Sequence, residues 1–428
     1  MKKRENISSV LKEVLLQVKP EQEEMKEIKA KLKDFLARAE QRRKKERLNA
    51  QIFVGGSFAK DTMIKKDSYD IDIFVRFDRK YKDSLLSDLA EKMLKGEKTE
   101  KIHGSRDYFR IKQGKDAVFE VVPVKKISNP KEAENVTDFS YSHVNYIKKK
   151  IKSQKTLDEI RIAKAFCYAN SAYGAESYVH GFSGYGIELL IYHYGSFMKF
   201  VKAIVKMDAK KKEIIDIEKH HKNKSRILMD LNSAKLNSPI ILIDPTYKQR
   251  NVLAALSGET FRNFQKACRD FLRNPSLDFF RQKIVDIEKV RETAIARDYE
   301  FVLIKLATDR QEGDIAGSKL LKFYNHLAEE TGKLYDIKAR GFEYGKEKSA
   351  RAFFVVKRKE GINIAGPDVN DEKNAKKFKL KHKIVSIKNG RLYAKIKVAS
   401  LKDFLKEWAQ NNLKKMEDMD MTKVEIIR

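Results

Sequence analysis

The sequence predicts a multidomain α+β protein: a mixed-sheet head, a largely helical central domain, and an α+β body with a short helical tail. Three observations predict it. Short segments with period-two alternation cluster between residues 51 and 124. Apolar residues at helical spacing dominate from Ser142 to Tyr173 and again over 257–273. Strand-like and helical stretches then alternate from Tyr299 onward. A chain of 428 residues can hold two to four domains, each with its own core. The expected division is 1–148, 149–280 and 281–428.

Composition narrows the class. Hydrophobic residues make up 42% and aromatic residues 10%, which suits a folded soluble protein even with 36% charged residues. Lys and Arg outnumber Asp and Glu by 91 to 61, and the net +30 favours a polyanionic partner, nucleic acid before an anionic membrane. A lysine-rich solvated surface, as in heat-adapted proteins, is the alternative. Cys167 and Cys268 lie far apart and in no Cys-x-x-Cys pair, which argues against zinc or a disulfide framework and fits a reducing cytoplasm. The first residues lead into an amphipathic stretch containing Lys12 and Glu13, unlike a signal peptide, and no run of 18 apolar residues could span a membrane. A soluble cytoplasmic protein is expected.

In chain order, Ile7, Val10, Leu11, Val14, Leu15 and Val18 form one helical stripe. Pro20 with Glu21, Glu23 and Glu24 suits the first turn of a second helix, which buries Met25, Ile28, Leu32, Phe35 and Leu36 and ends in the basic run 41–47. Gln51-Ile52-Phe53-Val54 is a short strand that stops at Gly55-Gly56-Ser57, where glycine lets the backbone approach a ligand and a helix start favours an anion. The next strand, residues 68–77, places Ile71, Ile73, Val75 and Phe77 on one face and Asp70 with Asp72 on the other. Two carboxylates so placed repel unless a cation lies between them, and a hard divalent ion such as Mg²⁺ takes oxygen ligands. Alone, such a pair is commonly a solvated edge and Gly-Gly-Ser commonly just a turn; their order together is what is specific.

Segments 99–103, 108–112 and 117–124 complete the mixed sheet, and Glu120 is the one charge in a strand that otherwise asks for burial. It is paired, bound to metal, or at an open edge. After the helical stretch come Tyr173-Gly174-Ala175-Glu176 and the glycine cluster 181–186 opening an apolar helix, a tight packing site when taken alone. The lysine-rich segment 207–226 reads as loop or exposed helix, and Pro239 to Pro245 as a short buried strand. Farther on, Tyr299 to Ala307 and Ala350 to Val356 read as strands and Leu320 to Glu330 as helix. Ser400-x-x-Asp403 caps a helix with Leu401, Phe404, Leu405 and Trp408 on one face.

The order Gly56-Ser57, Asp70-x-Asp72, Glu120-Val121-Val122-Pro123, Tyr173 to Glu176, Gly181 to Tyr185 with Glu188, and Asp244-Pro245 with Arg250-Asn251-Val252 resembles the archaeal-type (class I) CCA-adding tRNA nucleotidyltransferases. The resemblance covers residues 50–280, and Gly366-Pro367-Asp368 with Phe378 extends it into the body. It implies a nucleotidyltransferase-type head that transfers CMP and AMP from CTP and ATP to a tRNA 3′-hydroxyl, using two Mg²⁺ ions. Asp70, Asp72 and Glu120 would hold the metal, Glu120 standing where the family usually has Asp. Gly56, Ser57 and Lys60 would grip the phosphates, Lys60 replacing the family's usual Arg. His143, Lys164 and Tyr173 would contact triphosphate and sugar, and Arg250 the base, while Thr62 is expected to be structural. The partners implied are the tRNA acceptor stem and 3′ end, with a homodimer among the assemblies allowed and no membrane. The tail is shorter than the family's usual one. A poly(A) polymerase-like enzyme and a catalytically silent RNA-binding protein remain alternatives.

Overall fold

Alternation builds the first sheet. Ile71, Ile73, Val75 and Phe77 are completely buried, while Asp70 on the opposite face is exposed. The computed structural model describes residues 6–104, 106–208, 211–282, 285–345, 347–359, 361–382, 385–396 and 398–428. It divides into two units, Met1–Lys283 and Ile284–Arg428.

In the first unit, helices α1 (Ile7–Val18) and α2 (Gln22–Lys45) precede β1 (Ala50–Val54), the one-turn α3 (Gly56–Ala59) and β2 (Tyr69–Phe77). Helix α4 (Leu86–Met93) and strands β3 (Glu100–Ile102), β4 (Tyr108–Lys112) and β5 (Ala117–Lys125) follow. The sheet order is β1-β2-β5-β4-β3, with β2 and β5 parallel and the other pairs antiparallel. This is the mixed sheet that the sequence predicts. Ile28, Leu32 and Phe35 of α2 cover its apolar face, as the helical stripe requires.

Helices α5 (Ser140–Lys150), α6 (Gln154–Ala169), α7 (Gly184–Tyr194) and α8 (Phe197–Lys206) build a second core with α1. The rings of Phe197, Phe264, Phe271 and Phe280 surround Phe166 at 5.3–5.6 Å. A helical pattern was expected from Ser142 to Tyr173. Two helices supply it, separated where Ile151 turns extended, and only its end departs: Tyr173 lies past α6, bridged to Phe182. The lysine-rich segment leads into a helix, α9 (Lys224–Asp230), whose first residues are exposed as expected, but it also contains an unexpected strand, β6 (Glu213–Ile215), paired parallel to β7 (Ile240–Asp244). Apolar Ile214 and Ile215 pack inward there, and the lysines hid them. Strand β8 (Tyr247–Asn251) pairs antiparallel with β7, and Ser257 caps α10 (Gly258–Arg273).

The second unit begins with α11 (Ile287–Ile295), β9 (Glu300–Ala307), α12 (Asp314–Leu334), β10 (Tyr335–Tyr344) and β11 (Ser349–Arg358). Val302, Ile304 and Leu306 of β9 face α12, whereas Leu303 faces the Ala294 side, so burial on both faces makes Phe301 to Ile304 an unbroken apolar run. Strands β12 (Ile362–Asp368), β13 (Val385–Lys388) and β14 (Arg391–Ile396) form a separate sheet beside α13 (Glu372–Lys381). A Cβ on Gly366 would sit 2.7 Å from the Phe378 ring, so glycine there admits α13 against β12. Ser400 caps α14 (Leu401–Asn411) as its sequence predicts. The tail is not purely helical: after α15 (Leu413–Asp418), β15 (Lys423–Ile426) pairs with β9 and closes that sheet.

One buried ionic cluster ties the two cores of the first unit together. Glu188 on α7 is completely buried and receives Lys60 Nζ at 2.6 Å, Lys164 Nζ at 2.8 Å and the Thr62 hydroxyl at 2.7 Å. Arg161, one turn before Lys164 on α6, donates to the carbonyls of Asp61 and Met63. Burial by itself would raise the Glu188 carboxyl, but the charges and hydrogen bonds of Lys164 and Lys60 hold it down, at about 2. Burial lowers the Lys164 ammonium to about 8, so both groups are ionised at neutral pH. Glu188→Gln, which leaves two buried cations short of a counter-charge, should cost about 3–5 kcal/mol of stability at pH 7. Because the folded carboxyl titrates below its unfolded value, its contribution is full above pH 4.5 and lost as pH falls toward 2. The difference in urea midpoint between wild type and Glu188→Gln should shrink across that window; a constant difference would remove the ionised carboxylate as its cause.

Candidate active site

The strand–turn–strand geometry brings backbone against a carboxylate. Gly56 has φ +59°, and a Cβ added to it would lie 1.7 Å from Asp72 Oδ2, so no side chain fits there. The Gly55 N–H donates to the Asp72 carbonyl at 2.8 Å, and a Cβ on Gly55 would strike the Phe74 ring at 2.3 Å. Ser57 follows, half-buried, in α3. Asp72 stands in register with Glu120 on the parallel neighbour β5, so the two side chains share a face with Asp70. Burial, then the Glu120 charge, push the Asp72 carboxyl up to about 7 against the opposing pull of Lys60. Glu120 itself accepts from Arg110 Nε at 2.9 Å. Among the described residues, no three His, Cys, Asp or Glu side chains are gathered closely enough to cage a metal ion. The face nevertheless carries a set of hard oxygen donors crowded with like charge, the chemistry that a divalent cation satisfies.

The predicted phosphate and sugar contacts separate into two groups. Lys60 is nearly buried and gives one hydrogen bond to Glu188, leaving two protons of its ammonium. Lys164 corrects the expectation. Its three protons go to Glu188, the Thr62 hydroxyl and the Thr62 carbonyl, at 2.8, 2.8 and 3.1 Å, and it is only 2% exposed. None remains for a nucleotide, so in this structure Lys164 holds the loop rather than the ligand. Thr62 is structural, as expected. Tyr173 is half-buried, and burial followed by the charges of Glu188, Glu176 and Asp72 holds its phenol well above its usual value. Its hydroxyl lies where a Cβ on Gly184 would come within 3.0 Å.

His143 and Arg250 meet at Asp244, a buried carboxylate with no expected role in the site. His143 Nε2 and Arg250 Nη1 both bond Asp244 Oδ2, at 2.9 and 2.7 Å. The sequence offered one signal for Asp244 and Glu188: an acidic residue inside a run apolar enough to be buried, the same signal that singled out Glu120. No helix among the described residues is long and apolar enough to cross a membrane.

Two family descriptions tile the first unit: a nucleotidyltransferase domain matches residues 15–158, and the second domain of tRNA nucleotidyltransferase matches 158–281. The chain is 44% identical over 212 residues to the CCA-adding enzyme of Nanoarchaeum equitans, spanning 49% of this chain but only 52% of that one. Over 401 residues it is 29% identical to the CCA-adding enzyme of Methanocaldococcus jannaschii, spanning 91% of this chain and 87% of that one. The CCA-adding enzyme of Archaeoglobus fulgidus is 28% identical over 406 residues, with 91% and 86% covered. A solved structure of the RNA terminal uridylyl transferase Cid1 superposes with a TM-score of 0.51 at 12% identity, covering 65% of this chain and 98% of that one, which shows a shared fold. Nucleotidyltransferases of this kind generally use divalent metal ions. With the glycine turn against Asp72, the chain carries a nucleotidyltransferase domain followed by the second domain of tRNA nucleotidyltransferase, and along nine-tenths of its length it is similar to archaeal CCA-adding enzymes.

Proposed function

We propose that the protein adds or repairs the 3′-terminal CCA of tRNA without a nucleic-acid template, transferring CMP twice and AMP once from CTP and ATP, with release of pyrophosphate. The observation that carries this reading is the contact of the Gly56 backbone with Asp72, on a strand face shared with Asp70 and Glu120. On it, residues 1–148 act as catalytic head, 149–280 bind the nucleotide, and 281–428 dock the tRNA acceptor stem and 3′ end.

Asp70, Asp72 and Glu120 are the residues that would hold two Mg²⁺ ions, and the charge crowding at Asp72 supports that assignment. Bound there, the ions would acidify the RNA 3′-hydroxyl and offset charge on the departing pyrophosphate. Glu120 would exchange Arg110 for the metal. Gly56 and Ser57 would let the β- and γ-phosphates approach the backbone, with the two remaining Lys60 protons reaching them. Tyr173 would border the sugar. Arg250 would read the base, since a guanidinium can donate to acceptors on cytosine or adenine. The test is to incubate the protein with tRNA lacking its 3′ end and each labelled nucleoside triphosphate, then sequence the product. CCA in order is expected, and a homopolymeric A tail would point to a poly(A) polymerase instead.

Asp70→Asn and Asp72→Asn should each abolish C and A addition while leaving tRNA affinity nearly unchanged, because one carboxylate face serves every transfer. Loss of A addition alone would contradict a single site.

Glu120→Gln should slow single-turnover C addition by orders of magnitude at saturating CTP and Mg²⁺, with CTP affinity preserved by Asp70 and Asp72. Wild-type rates in that variant would leave a two-carboxylate centre.

Binding of tRNA should weaken steeply with salt. About five phosphate contacts at ~0.7 counterions each give a log–log slope near −3.5 for single strands, and duplex contacts steepen it. A flat response would assign the +30 charge to solvated surface instead.

A further inference from the structure

Four rings stack beside the end of β7. Tyr185, His143, Phe139 and Tyr247 follow one another with centroids 4.0, 5.9 and 5.4 Å apart and planes inclined by 20–21°. Asp244 lies alongside, completely buried. Its Oδ2 accepts from His143 Nε2 at 2.9 Å and from Arg250 Nη1 at 2.7 Å. Its Oδ1 accepts the Thr246 N–H and hydroxyl, both at 2.8 Å, and the Tyr185 hydroxyl at 3.3 Å. Five donors thus converge on one side chain from α5, α7 and the β7–β8 hairpin.

An ionised carboxylate only accepts hydrogen bonds, so the ring nitrogen facing it must carry the proton. Burial by itself would raise Asp244, but the hydrogen bond from His143, then the charge of Arg250 and the Thr246 N–H, hold it well below the usual carboxylate range. Burial pulls His143 the other way, below its ordinary value, despite the hydrogen bond to Asp244. A neutral ring with hydrogen on Nε2 leaves a lone pair on Nδ1. Neither that nitrogen nor the rest of the Arg250 guanidinium is hydrogen-bonded to a described residue.

We infer that Asp244 is a positioning residue for nucleotide selection: it aims Arg250 and fixes His143 as the Nε2–H tautomer, so that the incoming nucleotide meets a guanidinium donor and a ring-nitrogen acceptor. This inference rests on the nucleotide site proposed above. It also narrows the triphosphate or sugar contact expected for His143. A lone pair cannot bond a phosphate oxygen, which likewise only accepts, so the partner must bear an N–H or O–H. Two groups qualify: the exocyclic amine that cytosine and adenine share, and a ribose hydroxyl. Uracil presents a carbonyl where cytosine presents the amine.

The tautomer can be read in the wild-type protein by ¹⁵N NMR of histidine-labelled material at pH 7.5, with His143→Gln used to assign its resonances. The Nε2–H form is expected; an Nδ1–H form or an imidazolium overturns the inference, whether or not the protein adds nucleotides. Asp244→Asn supplies the second arm, because an amide can donate to Nε2 and favour the opposite tautomer. If the partner is the base amine, preference for CTP over UTP should fall about tenfold or more in this variant, with tRNA affinity unchanged. If it is a ribose hydroxyl, base preference should hold while the wild-type penalty for 2′-deoxy-CTP relative to CTP disappears. A variant that melts like wild type and keeps both selectivities overturns the inference. Should Asp244→Asn not fold, the wild-type tautomer still decides. A wild-type protein that adds neither C nor A would instead remove the functional assignment, which the NMR measurement does not touch.

Discussion

The Glu188 carboxylate is the interaction on which the rest of the first unit depends. Lys60 and Thr62 come from the segment just after the glycine turn, Lys164 from α6, and Glu188 itself from α7. A single buried charge therefore fixes the turn of the sheet layer against two helices of the other core. Opposite charges lie within hydrogen-bond distance of it, which is the condition under which a buried carboxylate stays ionised rather than neutralising. Arg161 adds to the same grip through the carbonyls of Asp61 and Met63. The turn is held from behind, and its front is left to face Asp72.

That front works by the opposite electrostatics. Behind the turn, one anion is shared by two lysines; in front, Asp70, Asp72 and Glu120 share a face on which Lys60 and Arg110 offset only part of their charge. Repulsion there is relieved by a proton or a cation, whereas the brace behind needs neither. The two arrangements lie on either side of a few residues, and Lys60 belongs to both. A lysine at that position brings a charge without a rigid guanidinium fork, and one of its three protons goes to Glu188.

Glycine carries a similar double duty in this chain. At Gly56 the missing Cβ makes room for a carboxylate, and at Gly366 it makes room for an aromatic ring. In sequence both look like turn residues. One borders the candidate chemistry and the other only lets a helix lie against a sheet. The neighbour that fills the vacant space separates the two cases.

Period and order decided much of this protein from the sequence alone. The alternation of Ile71, Ile73, Val75 and Phe77 placed Asp70 and Asp72 together, because strand geometry puts successive side chains on opposite faces. The five strands of the first sheet, the helical middle and the Ser400 cap were legible because each carries its own period or capping residue in its own stretch of chain. Strands β6 and β15 were not, since β6 is three residues among lysines and β15 only four residues long, too short for a period to show. Lys164 was expected at the ligand because sequence order cannot tell a cation facing a pocket from one spent on a buried carboxylate. Glu188 and Asp244 became the centres of their clusters only through folding. A charge is tolerated in a core when partners from distant segments converge on it, and only the tertiary structure supplies that convergence.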